Sequence, residues 1–244
     1  MLMRKWSHSR ARIFAFVNVH KLATFNIRHG RGLDDVVDLR RTAQAITEAG
    51  AEMVALQELD RNRKRSGSQD QVARLEALTS MHISFWPTVT KGEEEYGIAV
   101  ATRDPVDAGT WRFESLPRAG SEEPRGAILG RIDRLGLSVI ATHLSTDRPA
   151  RRIQTRALGE LARDLEPPVA IMGDLNHGRF GLRPLIKSGF DAGRRIEHTI
   201  TTRSLRWQID FVLVGPPARL ASTETLTTDA SDHVPLVAEV AVPD

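Results

Sequence analysis

The chain has 244 residues, 41% of them hydrophobic and 27% charged, with 34 Lys plus Arg against 31 Asp plus Glu. It is one globular domain in length and composition, and no apolar run approaches the roughly 18–20 residues that span a bilayer. It has no cysteine, which excludes disulfides and thiolate metal sites, including the usual structural zinc sites.

Residues 1–20 read as a basic leader. Arg4, Lys5, Arg10 and Arg12 precede an apolar run too short for a signal peptide, and no convincing small-residue cleavage site follows. The expectation is a disordered segment ahead of a single domain over 21–242, in the cytoplasm. Residues 22–25 form an apolar run that leads into Asn26. Val36, Leu39, Ala43, Ile46 and Ala49 have helical spacing, predicting a helix over 35–49 that stops at Gly50. The next run, 53–56, leads into Gln57-Glu58, so a strand-helix-strand unit leaves Asn26 and Glu58 at equivalent ends. Val72, Leu75 and Leu78 predict a helix over 69–78. Strand-like runs follow at 82–85, 98–102, 126–132 and 137–141, the last leading into His143. The stretch 104–125, with Pro105, Pro117 and Pro124, reads as irregular surface loop. A helix over 150–165 is stopped by Pro167-Pro168, and the run 169–172 then leads into Asp174.

Two later runs reverse this pattern. Asp210 precedes 211–214, and Asp232-His233 precede 234–238. If all six polar positions share one rim, these two strands run opposite to the first four, which predicts a mixed sheet. The stretches 104–125 and 179–206 are expected to shape the substrate cleft.

The gathered residue types suit phosphoester hydrolysis. A phosphodiester resists attack because water is a poor nucleophile and the anion repels it; a catalyst neutralises oxygens, activates water and assists the leaving alkoxide. Mg2+ (or Mn2+) suits the first task, since it needs only one or two carboxylates and keeps several waters. Glu58 is the natural ligand, with Asn26 holding its carboxylate or contributing an amide oxygen, and Asp232 a further metal or water ligand. Asp174 and Asn176 are two apart, so on an extended segment they face one side and can grip a water together. His143 and His233 can donate to phosphoryl oxygen or leaving group, and Asp210 can orient His233 and favour its cation. Each motif has a plain reading as well: Gly-Asp-Leu-Asn as a turn, Gln-Glu as a solvated strand end, a lone histidine as structural. Chance rarely gives six sites with compatible types, order and strand-edge placement.

The chain resembles the endonuclease/exonuclease/phosphatase superfamily, which includes deoxyribonuclease I-like nucleases, abasic-site endonucleases, neutral sphingomyelinases and inositol-phosphate phosphatases. The motifs that carry the resemblance run in order. They are TFNIRHG with Asn26, VALQELD with Glu58, YGIAVATR with Tyr96, ATHL with His143, GDLN with Asp174 and Asn176, IDFVLV with Asp210, and SDH with Asp232 and His233. The resemblance implies an α/β four-layer sandwich, two mixed β-sheets face to face with helices outside. It also implies metal binding at Glu58 with Asn26 and Asp232, water activation at Asp174 with Asn176, and a His233–Asp210 pair acting on phosphate. His143 fits the branches with two histidines. Abasic-site enzymes lack it, and they carry an acidic residue where this chain has Arg28.

The reading is therefore a Mg2+- or Mn2+-dependent phosphoesterase acting on a phosphodiester by in-line attack of an activated water. Tyr96 and Arg125 are expected to meet phosphate, and Arg28 and His29 to reach substrate from their loop. Glu94 or Glu95 could orient His143, and Arg151, Arg152 and Arg156 read as an exposed helix face. The base is Arg-rich, which suits bidentate phosphate binding, so nucleic acid is favoured over a lipid head-group as substrate. Against it, aromatics are only 5% of residues, so stacking platforms are scarce. No obligate protein partner is implied. A binding protein of the same fold without catalysis is the rival from another class, and the intact set of polar residues argues against it.

Overall fold

Side chains alternate along buried strands, and the alternation sorts the apolar residues onto two faces. In β1 (Val17–Asn26), Leu22 joins a central core while Ala23 and Phe25 join an outer one. In β2 (Met53–Arg61), Met53 and Ala55 separate from Val54 and Leu56 in the same way. A computed structural model of the chain describes residues 17–202 and 205–243. The basic stretch 1–16 lies outside the described residues, and β1 begins at Val17, ahead of the expected domain start at Lys21.

One sheet has six strands, in the order β12 (Arg219–Thr225), β13 (Leu236–Pro243), β1, β2, β4 (Glu94–Thr102) and β3 (His82–Lys91). The other has five: β11 (Asp210–Val214), β8 (Val169–Asp174), β7 (Leu137–His143), β6 (Gly126–Ile132) and β5 (Trp111–Ser115). A two-stranded hairpin, β9 (Ile200–Thr202) with β10 (Leu205–Trp207), forms its own small sheet.

Leu22, Ile98, Ile128, Val139, Met172, Val212 and Val240 belong to the core between the sheets. Helices α1 (Leu39–Ala49) and α2 (Gln71–Thr79) cover the outside of the first sheet, Ile46 and Leu75 clustering with Phe25 and Leu56. Helices α3 (Arg148–Arg163) and α4 (Arg183–Lys187) cover the second, Leu158 and Leu185 clustering with Ile171 and Phe211. Each such side chain contributes about 1.5–3 kcal/mol by leaving water. The result is the four-layer sandwich of two mixed sheets that the family resemblance implied.

The long helices begin where an aspartate can satisfy first-turn N–H groups. The Asp38 carboxylate accepts from Arg40 N, which starts α1 at Leu39 and not at 35; Asp70 accepts from Val72 and Ala73 and starts α2 at Gln71. Asp147 accepts from Ala150, so α3 starts ahead of 150, with Pro149 in its first turn. The expected loop 104–125 contains edge strand β5, five residues whose Trp111 and Phe113 pack against the central core. Strand β3 runs past the expected end at 85. Pro87 is tolerated because β3 is an edge strand and its register shifts between Pro87 and Val89.

Pairing fixes the rim. β1 and β2 are parallel, with Asn26 opposite Gln57, and β7 and β8 are parallel, with His143 opposite Asp174. β13 is antiparallel to β1, and β11 is antiparallel to β8 with Asp210 opposite Asp174. The two reversed strands therefore run against the others, and the motif-bearing ends meet on one edge. Among the described residues, no helix is long and apolar enough to cross a membrane.

Candidate active site

Two backbone irregularities aim the polar side chains. Glu58 sits where the register of β2 against β4 shifts between Gln57 and Leu59, and its φ is +65°. A bulge breaks the alternation and turns the side chain to the rim; the left-handed backbone costs about 1–3 kcal/mol that the surrounding sheet must hold. At the end of β8, Gly173 has φ +146°, and a Cβ there would lie 1.9 Å from the Thr142 carbonyl oxygen. Only glycine lets β7 and β8 approach closely enough to set His143 beside Asp174.

Asn26 joins the halves of the site. Its Nδ2 donates to Glu58 Oε1 and to Asp174 Oδ2, both at 3.0 Å, while its Oδ1 accepts from Arg28 N at 3.0 Å. Of the two expected roles, the amide thus takes that of holding carboxylates. Ser231 donates to the Asn26 carbonyl at 2.8 Å and accepts from His233 N, locking the SDH turn to β1. Asp174 Oδ1 accepts from Asn176 N at 2.9 Å, and Asn176 Nδ2 donates to Leu144 O, which leaves the Asn176 amide oxygen for another donor.

The histidines differ in charge. His233 Nδ1 donates to Asp210 Oδ2 at 2.8 Å, and its Nε2 lies 3.8 Å from Asp174 Oδ2. Burial opposes its charge, yet Asp210, Asp174 and Asp232 together push its pKa up to about 10, so it is an imidazolium. His143 is held neutral: burial, Arg125 and His233 lower its pKa well below the usual value. Arg125 donates to His143 Nδ1 at 3.0 Å, so the His143 proton is on Nε2, 3.4 Å from Asp174. Burial and the charge of Asp210 raise Asp174 above the ordinary carboxylate range, against the pull of His233 and the Asn26 amide. A carboxylate so tuned is suited to take a proton from water near neutral pH.

The second expected tier is mixed. Tyr96 is buried with its ring beneath Arg63 and Arg65 at 5.5 and 5.2 Å, and burial followed by Glu58 and Glu123 raises its pKa, leaving a protonated phenol. Arg125 is held by His143 and by Glu123 at 3.0 Å. Arg28 approaches Asp232 at 3.8 Å and Asp35 at 3.6 Å. His29, expected to reach substrate from its loop, is buried; burial and Arg65 lower its pKa to about 4, and its carbonyl accepts from Gln71. Neither Glu94 nor Glu95 orients His143. Glu95 pairs with Arg61 at 3.3 Å, and Arg125 takes the position behind the imidazole. Thr199, which no motif marked, accepts from Ile209 N and Asp210 N at 3.1 Å, and its backbone pairs with Val234. It props both strands that deliver the Asp210–His233 pair.

The donor set fits a hard cation: carboxylate and amide oxygens without thiol. Asp174, Asp210 and His233 offer atoms within 4.8 Å of one another. Asp210 and His233 are committed to each other in a buried pair. Glu58 and Asp232 are only partly buried and face the open rim.

The fold and site define a phosphoesterase-type sandwich. Residues 23–233 match the Endonuclease/Exonuclease/phosphatase family, and the chain belongs to it. Members of this family are in general hydrolytic phosphoesterases that use divalent metals. Similar solved structures agree on the fold. An endonuclease/exonuclease/phosphatase from Beutenbergia cavernae DSM 12333 has a TM-score of 0.76 at 20% identity, over 92% of this chain and 72% of that one. A functionally unknown conserved protein from Enterococcus faecalis V583 has 0.73 at 21%, over 92% and 100%. A mannosyl-6-phosphatase from Bacteroides thetaiotaomicron VPI-5482 has 0.67 at 17%, over 91% and 99%. No curated protein sequence matches the chain.

Proposed function

We propose that the chain is a Mg2+- or Mn2+-dependent phosphodiesterase that cleaves a P–O bond by in-line attack of water. The observation that carries this reading is the Asp210–His233–Asp174 array, an imidazolium held between two buried carboxylates beside Glu58. Glu58 and Asp232 would hold the ion, with Asn26 fixing the Glu58 carboxylate. When bound, a hard divalent ion neutralises phosphoryl oxygens and acidifies bound water.

The chain's own groups do the rest. Asp174 and the Asn176 amide oxygen orient the attacking water, and Asp174 takes its proton. His233 donates from Nε2 to a non-bridging oxygen, where charge grows as the bond breaks. His143, neutral with its proton on Nε2, adds a second donor, and the leaving alkoxide departs opposite the attacking water and takes its proton from solvent. Tyr96 supplies a phenol hydroxyl close to Glu58 and Arg125. Arg-rich charge favours nucleic acid over a lipid head-group as substrate.

A bis-aryl phosphodiester and an aryl phosphomonoester, each incubated with Mg2+, Mn2+ or EDTA, test the reading. The expected result is metal-dependent turnover, faster on the diester. No turnover with either ion defeats it, and a monoester preference moves the assignment towards a phosphatase such as the similar Bacteroides protein is named to be.

A further inference from the structure

One other concavity gathers a single sign of charge. Helix α3 and the segment 177–184 enclose a cavity of about 400 Å³ lined by Arg148, Arg151, Arg152, Arg156 and Arg183, and by no carboxylate. Several arginines elsewhere are neutralised within the chain, among them Arg41 by Asp34, Arg61 by Asp70 and Arg65 by Asp60. Among the described residues, none of the five pocket arginines makes an ion pair. Such a cluster repels itself, and an external anion is the charge it lacks.

The pocket is built and not merely basic. Arg151 is held by the Ser145 and Thr146 carbonyls at 3.2 and 2.6 Å, while its Nε is buried without a partner. Thr155 donates its hydroxyl proton to Arg151 O at 2.8 Å, so the 3.0 Å contact between Thr155 and His177 Nε2 must be donated by the histidine. His177 thus donates from Nε2, burial and Arg151 keep its ring neutral, and it directly follows Asn176. One Cα step of about 3.8 Å separates the backbone of the reaction centre from that of the pocket. At the lip, Phe180 is 79% exposed, with the Arg183 guanidinium over its ring at 5.0 Å.

We propose that this pocket is a second anion subsite, holding a phosphate of a single-stranded nucleic acid next to the one cleaved, with Phe180 stacking an unpaired base. The inference rests on the phosphoesterase reading and deepens it by naming the substrate class. A small phosphomonoester has no second phosphate to offer. A flat anionic bilayer can meet the outer arginines but not the partly buried Arg151 inside the cavity, whereas a flexible strand can enter, and an exposed aromatic beside basic groups suits unpaired bases.

Binding and turnover test it separately. A fluorescent deoxyoligonucleotide is titrated by anisotropy in EDTA, and hydrolysis of the same strand and of a bis-aryl phosphodiester is followed with Mn2+. Arg152→Gln with Arg156→Gln alters exposed positions outside the reaction centre. The double variant is expected to bind the strand at least tenfold more weakly. Its slope of log affinity against log salt is expected to be shallower by about 0.7 for each phosphate that is no longer neutralised. It cleaves the strand less efficiently and the small aryl diester as well as the parent does. Phe180→Ala is expected to weaken strand binding about tenfold and keep the salt slope. Unchanged strand affinity, with aryl-diester turnover intact, overturns the subsite and leaves the phosphoesterase reading standing. Arginine-dependent strand binding without any turnover overturns that reading and keeps the subsite. Arginine-dependent binding to phosphatidylserine vesicles without strand binding overturns the subsite in favour of a membrane surface.

Discussion

Asn26 and Asp174 stand 148 positions apart, on different sheets, and meet through a 3.0 Å hydrogen bond from the Asn26 amide. The same nitrogen reaches Glu58, so one uncharged donor links the two carboxylates that the proposed chemistry most needs. An ammonium or guanidinium there would neutralise them and compete with a cation; an amide orients them and leaves their charge available. The site is thus a seam between sheets, and its geometry depends on how the sheets pack.

Removing that donor separates orientation from folding. Asn26→Ala leaves a buried Asp174 oxygen without its amide partner, which costs about 1–3 kcal/mol of stability. Turnover is expected to fall about 10- to 100-fold through kcat more than KM, because the bond positions groups and does not grip substrate. Parallel thermal unfolding and steady-state kinetics with a bis-aryl phosphodiester decide it. Parent-like kcat in a folded variant defeats the bridging role.

The Asp210–His233 pair should behave as a unit. Asp210→Asn keeps shape but removes the charge that holds His233 protonated, and Asp210 Oδ1 is already buried without a partner. About a 100-fold loss of turnover is expected for Asp210→Asn and for His233→Ala, and a similar loss for Asp174→Ala. Combining Asp210→Asn with His233→Ala should cost little beyond His233→Ala alone. Additive losses in the double variant would show two independent roles.

Much of this site was legible because short apolar strand segments border its functional residues. Short apolar runs stop at Asn26, Glu58, His143 and Asp174, and the reversed order at Asp210 and Asp232 already demanded antiparallel neighbours. What stayed hidden depends on contacts without local pattern. Thr199 props Asp210 from a loop with no periodicity, and Arg125 reaches His143 across the β6–β7 pair. Strand β5 is five residues long among prolines, too short for alternation to outweigh turn signals. The Glu93–Glu95 charge run hid the start of β4, since its solvated residues carry no strand signature. The exposed helix face was half of the truth: Arg152 and Arg156 are exposed, but Arg151 is partly buried and all three line one cavity.

Just beyond Glu58, Asp60 is fully buried and accepts from Arg65 Nε and Nη2, both at 2.8 Å, and from the Ser66 hydroxyl at 2.9 Å. This pair ties the 62–67 loop to β2 and sets Arg65 over Tyr96. Arg65→Met leaves the buried carboxylate with only the Ser66 hydroxyl and Arg63 at 3.8 Å, and is expected to cost about 2 kcal/mol, below the ~3–5 of a fully enclosed pair because Arg65 is partly exposed. Adding Asp60→Asn should recover part of the loss, since the stranded charge goes with it. Urea unfolding of parent, single and double variants measures both, and a double variant weaker than Arg65→Met would contradict the account.

His177 gives the pocket floor an acid limit. Burial and then Arg151 lower its folded pKa to about 4 from an ordinary 6.5. Because the unfolded chain binds that proton more readily, the contribution to stability is complete above about pH 6.5 and is lost as pH falls towards 4. Asp174, with its raised pKa, works in the opposite sense, and His29 in the same one, so the parent's profile alone is a mixture. His177→Gln isolates the effect, since a glutamine amide can still donate to Thr155 and does not titrate. Thermal midpoints measured in EDTA from pH 7.5 to 4.5 should fall more steeply for the parent than for His177→Gln. Parallel profiles would mean that His177 titrates alike in the folded and unfolded chain, so that neither burial nor Arg151 holds the floor of the arginine pocket uncharged.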